Sequence, residues 1–109
     1  MNGLTLDAGA LIALEKRDTR MRNYVQRAHD NDLPAHVPAV VLLEWFRGAR
    51  GQQTILARLL VEPTTQRIAE AAGRAIAAVH KATAVDAAVM AAAALRGDVV
   101  FTSDITDMQ

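Results

Sequence analysis

The chain has 109 residues, enough for a single domain spanning 1–109, and its twelve Lys and Arg balance twelve Asp and Glu to a formal net charge of zero. With 51% apolar residues it has the composition of a folded domain, not of a chain disordered throughout. Cysteine is absent, which excludes a disulfide framework, a thiolate zinc site, an iron–sulfur cluster and a cysteine nucleophile.

In chain order, Leu4-Thr5-Leu6 is short, apolar and partly β-branched, and predicts a strand that stops at Asp7. Apolar residues then recur at helical spacing through AGALIALEK. A second helix is expected from Thr19 to about His29, capped by Asp18 or Thr19 and closed by the loop signal Asp30-Asn31-Asp32. Ala35-His36-Val37 predicts a second strand. Pro38 suits the first turn of a helix running through AVVLLEWFR to a C-cap at Gly48. Gln52–Leu60 is expected to be helical, Val61–Pro63 a short strand or connector, and Thr65–His80 an Ala-rich helix. Thr83 opens another helix, VDAAVMAAAALR, ending at Gly97, and Val99–Thr102 predicts the last strand, with a helix start at Ser103–Thr106. Strands alternating with helices predict an α/β fold with a parallel sheet.

The N-terminal stretch carries Asp7 and places Lys16 and Arg17 after its apolar part, the reverse of a signal peptide. The longest apolar stretch, Val85–Leu95, is broken by Asp86 and is too short to span a bilayer. A soluble cytoplasmic protein with no membrane partner is expected. Ten of the twelve cations are Arg, whose planar fork suits phosphate and carboxylate, but the many alanines point to a GC-rich genome as the simpler source, so charge alone does not predict nucleic-acid binding. Arg17, Arg20 and Arg22 read either as a phosphate-binding rim or as a solvated helix face. With four aromatics, Tyr24, Trp45, Phe46 and Phe101, a base-stacking platform is not expected.

Four acids stand in unusual places. Asp7 closes the first strand, Asp104 follows the last, Asp86 lies in the first turn of the Ala-rich helix, and Glu44 interrupts the apolar run Val40–Phe46. Each has a bland reading. Asp7 and Asp104 suit helix N-caps, Asp86 lies three residues after Thr83 as in a capping box, and Glu44 either faces a cleft or pairs with Arg47. In open parallel sheets, however, sites form beyond the carboxyl ends of strands, so neighbouring first and last strands would bring these acids to one crevice. Two carboxylates about 4 Å apart repel by roughly 4 kcal/mol at an effective dielectric of 20. Such a cluster therefore requires protons or a cation. Oxygen donors without His or Cys point to Mg2+ or Mn2+, and the histidines (His29, His36, His80) lack ligand spacing and read as surface or capping residues. An acidic Mg2+ crevice suits phosphodiester hydrolysis by metal-activated water. Thr102 or Ser103 would orient an acid or the phosphate there, or serve simply as a turn residue.

The segments LTLDAGALIALEKRD, VPAVVLLEWFRG and AVDAAVMAAAALRGDVVFTSDITD together resemble the PIN-domain ribonucleases, and among them the VapC toxins of bacterial type II toxin–antitoxin pairs. The resemblance implies a three-layer α/β/α sandwich around a central parallel sheet. It also implies Mg2+- or Mn2+-dependent RNA cleavage by an acidic quartet at Asp7, Glu44, Asp86 and Asp104. Asp7 and Asp86, joined by Asp104, would ligate metal, and Thr102 matches the hydroxyl before the last acid. It implies a VapB-type antitoxin partner and a homodimer. Family members usually continue past the position of Gln109, completing the last helix and adding an edge strand, so the C-terminal end reads as short.

Two other classes compete with an endoribonuclease toxin. A catalytically silent, truncated toxin-like module would bind an antitoxin or RNA without cutting. A receiver-like signalling domain would also have an acidic crevice, but it wants paired acids after the first strand, where Ala8 and Gly9 follow Asp7, and a lysine after a late strand, where none follows Phe101.

Overall fold

The computed structural model describes residues 3–79 and 83–101. Within them the chain runs β1 (Leu4–Leu6), α1 (Ala8–Glu15), α2 (Thr19–Asp30), β2 (Ala35–Pro38), a 3-10 turn (Ala39–Val41), α3 (Leu42–Trp45), α4 (Arg50–Leu56), β3 (Leu60–Glu62), α5 (Gln66–Val79), α6 (Ala84–Arg96) and β4 (Val99–Phe101). Helical crossovers separate the strands, so the strands can pair in parallel, and all three described pairings are parallel. The sheet order is β3-β2-β1-β4. The chain first builds outward from β1 to β2 and β3, then returns to β1's other edge with β4. Helices flank this sheet, as the three-layer expectation required.

Local chemistry explains the helix boundaries. The Asp7 carboxylate accepts from the Ala10 amide at 2.9 Å and caps α1, and Asp18 caps α2 by accepting from Met21 at 2.8 Å. The Thr83 hydroxyl accepts from the Asp86 amide at 3.1 Å at the head of α6. Each such cap contributes about 1 kcal/mol. α6 ends at Gly97, whose φ of 72° is a left-handed conformation that favours glycine.

Leu4 and Leu6 on one face of β1 alternate with Thr5 on the other. The fully buried Leu6, Leu11, Val37 and Val41 anchor the main core, which Met21, Val25 and Ala28 of α2 close from one side. Burying each such aliphatic side chain stabilises the fold by about 1.5–3 kcal/mol. A smaller cluster, Ala72 with Ala87 and Ala88, lets α5 and α6 approach closely.

The segment after β2 departs from expectation. In place of one helix from Pro38 to Gly48, Pro38 ends the strand, Ala39–Val41 make a 3-10 turn, α3 spans four residues, and Phe46 is extended. The reason lies seven residues beyond Trp45. The buried Gln52 amide donates to the Trp45 carbonyl at 3.0 Å and accepts from the Arg47 amide at 2.8 Å, so the backbone groups that would continue the helix are satisfied without it. Gln52→Leu should lose both bonds and cost about 2 kcal/mol, measured as a lower urea midpoint with an unchanged slope.

Candidate active site

Asp7 stands at the carboxyl end of β1, and β4 is β1's neighbour across the point where the strand order reverses. That reversal is where open α/β sheets form their ligand crevices. Leu6, the last residue of β1, pairs with Phe101, the last described residue of β4. Thr102, expected as the end of that strand, and Asp104, expected just past it, lie outside the described residues, as do Ser103 and His80. The adjacency on which a shared crevice depended is therefore met, while the placement of Asp104 in it is an expectation.

Asp7 is half-buried and its carboxylate already serves the first turn of α1. Asp86 lies in the first turn of α6, a helix that packs against both β1 and β2. Its backbone amide is held by Thr83, and its side chain is exposed. Both acids lie where the positive end of a helix dipole favours a negative charge.

Of the two readings of Glu44, pairing with Arg47 is not what forms. In the short α3, Val41 and Trp45 are buried, whereas Leu43 is 76% exposed and Glu44 is exposed beside it. The Arg47 guanidinium donates to the Phe46 carbonyl at 2.7 Å and to the backbone carbonyl of Glu44 at 3.4 Å. A single helical turn is too short to set the two side chains in register. Trp45 does fix α3 to the body of the domain, because its indole N–H donates to Glu15 at 3.0 Å.

In donor type, Asp7 and Asp86 fit a hard divalent cation. Among the described residues, no group of three His, Asp or Glu side chains is placed to hold a metal ion, so a complete ligand set would need a donor from beyond Phe101.

The PIN domain family model matches residues 4–106, nearly the whole chain. This chain belongs to the PIN domain family. Two solved structures share its fold. A toxin–antitoxin complex from Klebsiella pneumoniae superposes with a TM-score of 0.72 at 21% identity, over 92% of this chain and 85% of that one. The Mycobacterium tuberculosis VapC20 toxin, described as cleaving the sarcin–ricin loop, superposes with a TM-score of 0.67 at 19% identity, over 97% of this chain and 95% of that one. No curated protein sequence matches significantly.

The PIN sheet also carries a polar cluster that sequence reasoning missed. The Arg96 side chain donates to Asp98 at 2.9 Å and to the Thr5 hydroxyl at 2.7 Å, and it pairs with Glu62. Thr5 donates to Asp98 at 2.8 Å, and His36 lies 3.5 Å from the same carboxylate. His36 is thus a half-buried strand residue, not the surface or capping residue expected, because it stands beside Thr5 in the sheet register. Burial alone would lower the Arg96 pKa, but hydrogen bonds and Coulombic attraction from Glu62 and Asp98 outweigh it and raise the pKa above its ordinary value. The one sequence signal available was Arg96-Gly97-Asp98, two opposite charges flanking a helix-ending glycine.

Proposed function

We propose that this PIN domain is a Mg2+- or Mn2+-dependent endoribonuclease, the toxin of a type II toxin–antitoxin pair. The observation that carries the reading is Asp7 at the carboxyl end of the central strand, beside β4 across the sheet's reversal point. Two fold neighbours, a toxin–antitoxin complex and a toxin, support the biological role. In this reading Asp7, Glu44, Asp86 and Asp104 form the catalytic quartet, Asp7, Asp86 and Asp104 hold the cation, and Thr102 and Arg47 orient the substrate. Bound metal would supply water activation and charge neutralisation on the phosphate. Because water attacks in place of the ribose 2′-hydroxyl, the products carry a 3′-hydroxyl and a 5′-phosphate. A VapB-type antitoxin, a homodimeric state and a cytoplasmic setting belong to the same proposal.

A second reading is a catalytically silent module that binds antitoxin or RNA. It keeps the fold and the binding partners and lacks only turnover. Incubating the purified chain with a labelled structured RNA in Mg2+ and in EDTA separates the two. Cleavage in Mg2+ and none in EDTA is the expected result. Intact RNA in both lanes, from a chain shown to be folded by circular dichroism, would favour the silent module.

A further inference from the structure

Away from the acids, two adjoining depressions of ≈ 330 and ≈ 450 Å³ share Leu14 and Arg22 in their walls, forming a groove among α1, α2 and α4. Its floor includes Leu14, Val25 and Ile55, and three arginines reach it from separate places. Arg17 comes from the α1–α2 connection, Arg22 from α2, and Arg58 from just beyond α4. Among the described residues, none of the three forms an ion pair. The acid in the groove, Glu15, accepts the Trp45 indole N–H. Arg17 has a φ of 60°, a left-handed conformation unfavourable for a residue with a Cβ. Turn geometry alone would select glycine or asparagine there, and arginine supplies a cation to the groove wall instead. Arg20, on the same helix, does not line the groove.

We infer that this groove binds the phosphates of a single-stranded RNA segment flanking the cleaved bond. The inference rests on the ribonuclease reading above. Guanidinium forks without an ion-pair partner match phosphate oxygens, Arg58 exchanging its 3.3 Å bond to the Gln26 side chain for the phosphate, and the mixed polar and apolar lining accepts unstacked nucleotides. The eight residues of α1 place its start, beside Asp7, about 12 Å from its end at the groove. An RNA strand seated at Asp7 therefore reaches the groove within a few nucleotides. An acidic peptide is the competing occupant.

The test is fluorescence anisotropy of a labelled twelve-nucleotide single-stranded RNA, in EDTA, across a salt series. In R22E/R58E the affinity should fall at least tenfold, and the slope of log K against log salt should flatten by about 1.4, from roughly 0.7 per lost phosphate contact. R22Q alone should flatten it by about 0.7, and it guards against a fold defect in the double variant. R20E/R27E changes the net charge equally away from the groove and should keep the parental slope. The proposal is overturned if the parent does not bind the RNA or if R22E/R58E and R22Q bind with the parental slope. It is also overturned if R20E/R27E flattens the slope as much, or if a polyglutamate peptide loses binding in R22E/R58E while RNA does not. Because binding is read without turnover, a chain that binds through Arg22 and Arg58 but never cuts would overturn the ribonuclease reading and leave the groove assigned.

Discussion

Replacing Arg96 with alanine is expected to destabilise this domain by about 3 kcal/mol. Arg96 leaves the end of α6 and clasps residues from both edges of the sheet. Glu62 ends the outer strand β3, Asp98 immediately precedes the opposite outer strand β4, and Thr5 lies between them on β1. The Asp98 side chain is 1% exposed. Removing the guanidinium strands that charge, with its remaining contacts being the Thr5 hydroxyl and the His36 ring. Breaking a buried ion pair from one side costs about 3–5 kcal/mol. Here the lower figure applies, because Arg96 and Glu62 keep 18% and 24% of their side-chain surface in water. A loss of about 3 kcal/mol should lower the Tm by roughly 12–24 °C, out of a total stability of about 5–15 kcal/mol. Differential scanning calorimetry of Arg96→Ala beside Arg96→Lys reads both the charge and the fork. Lysine keeps the cation but cannot place three donors on Asp98, Thr5 and Glu62 together, so it should recover only part of the loss. Since the folded pKa of Arg96 is raised, its contribution is fully present below the ordinary arginine pKa and fades only above it. The difference between parent and Arg96→Ala should therefore gain no slope from the arginine itself at neutral pH. A Tm within 2–3 °C of the parent, equivalent to less than about 1 kcal/mol, would mean that Asp98 is rehydrated at little cost.

That cluster also shows where reading a sequence stops. α1, α2 and α6 were legible because their caps are local: Asp7, Asp18, Thr83 and Gly97 each act within a few residues of the helix they bound. β1, β2 and β4 were legible as short apolar runs, whereas β3 begins at Leu60, which helical spacing assigns to the preceding helix, and Val61–Pro63 reads equally as strand or connector. α3 was not, because Gln52 ends it through contacts made only after the chain has turned back. Beyond the Arg96-Gly97-Asp98 run, the cluster gave no pattern because Thr5, His36 and Glu62 come from separate parts of the chain. Parallel register sets Thr5 beside His36, and the strand order brings Glu62 and Asp98 within reach of one arginine. The candidate site sits between these cases. Asp7 announces itself by following a strand, and Asp86 by following Thr83 at cap spacing. The pairing of β1 with β4 is what gives Asp7 a place in a crevice, and no local signal specifies it.

Asp7→Asn is expected to abolish RNA cleavage while leaving the domain folded, and the pairing of those two results is what makes it informative. In this structure the Asp7 carboxylate has a visible structural task, accepting the Ala10 amide at 2.9 Å to start α1. Any loss of activity on removing it could therefore be blamed on a frayed helix. Asparagine separates the two roles. It caps helices about as well as aspartate, so what is lost is the charge, with its favourable helix-dipole interaction of about 0.3–1 kcal/mol. Its urea midpoint should stay close to the parent's. Asp7→Ala loses the cap as well, at about 1 kcal/mol more. If Asp7 ligates the cation, both variants should lose cleavage by more than a hundredfold, since even groups one step removed from a metal change affinity or activity by about 10–100-fold. If Asp7 is only a cap, activity should instead follow stability, with asparagine near the parent and alanine lower. Cleavage rates in Mg2+ for the three proteins, each paired with its urea midpoint, decide between a ligand and a cap. Undiminished cleavage by Asp7→Asn would return Asp7 to its structural role and remove it from the metal site.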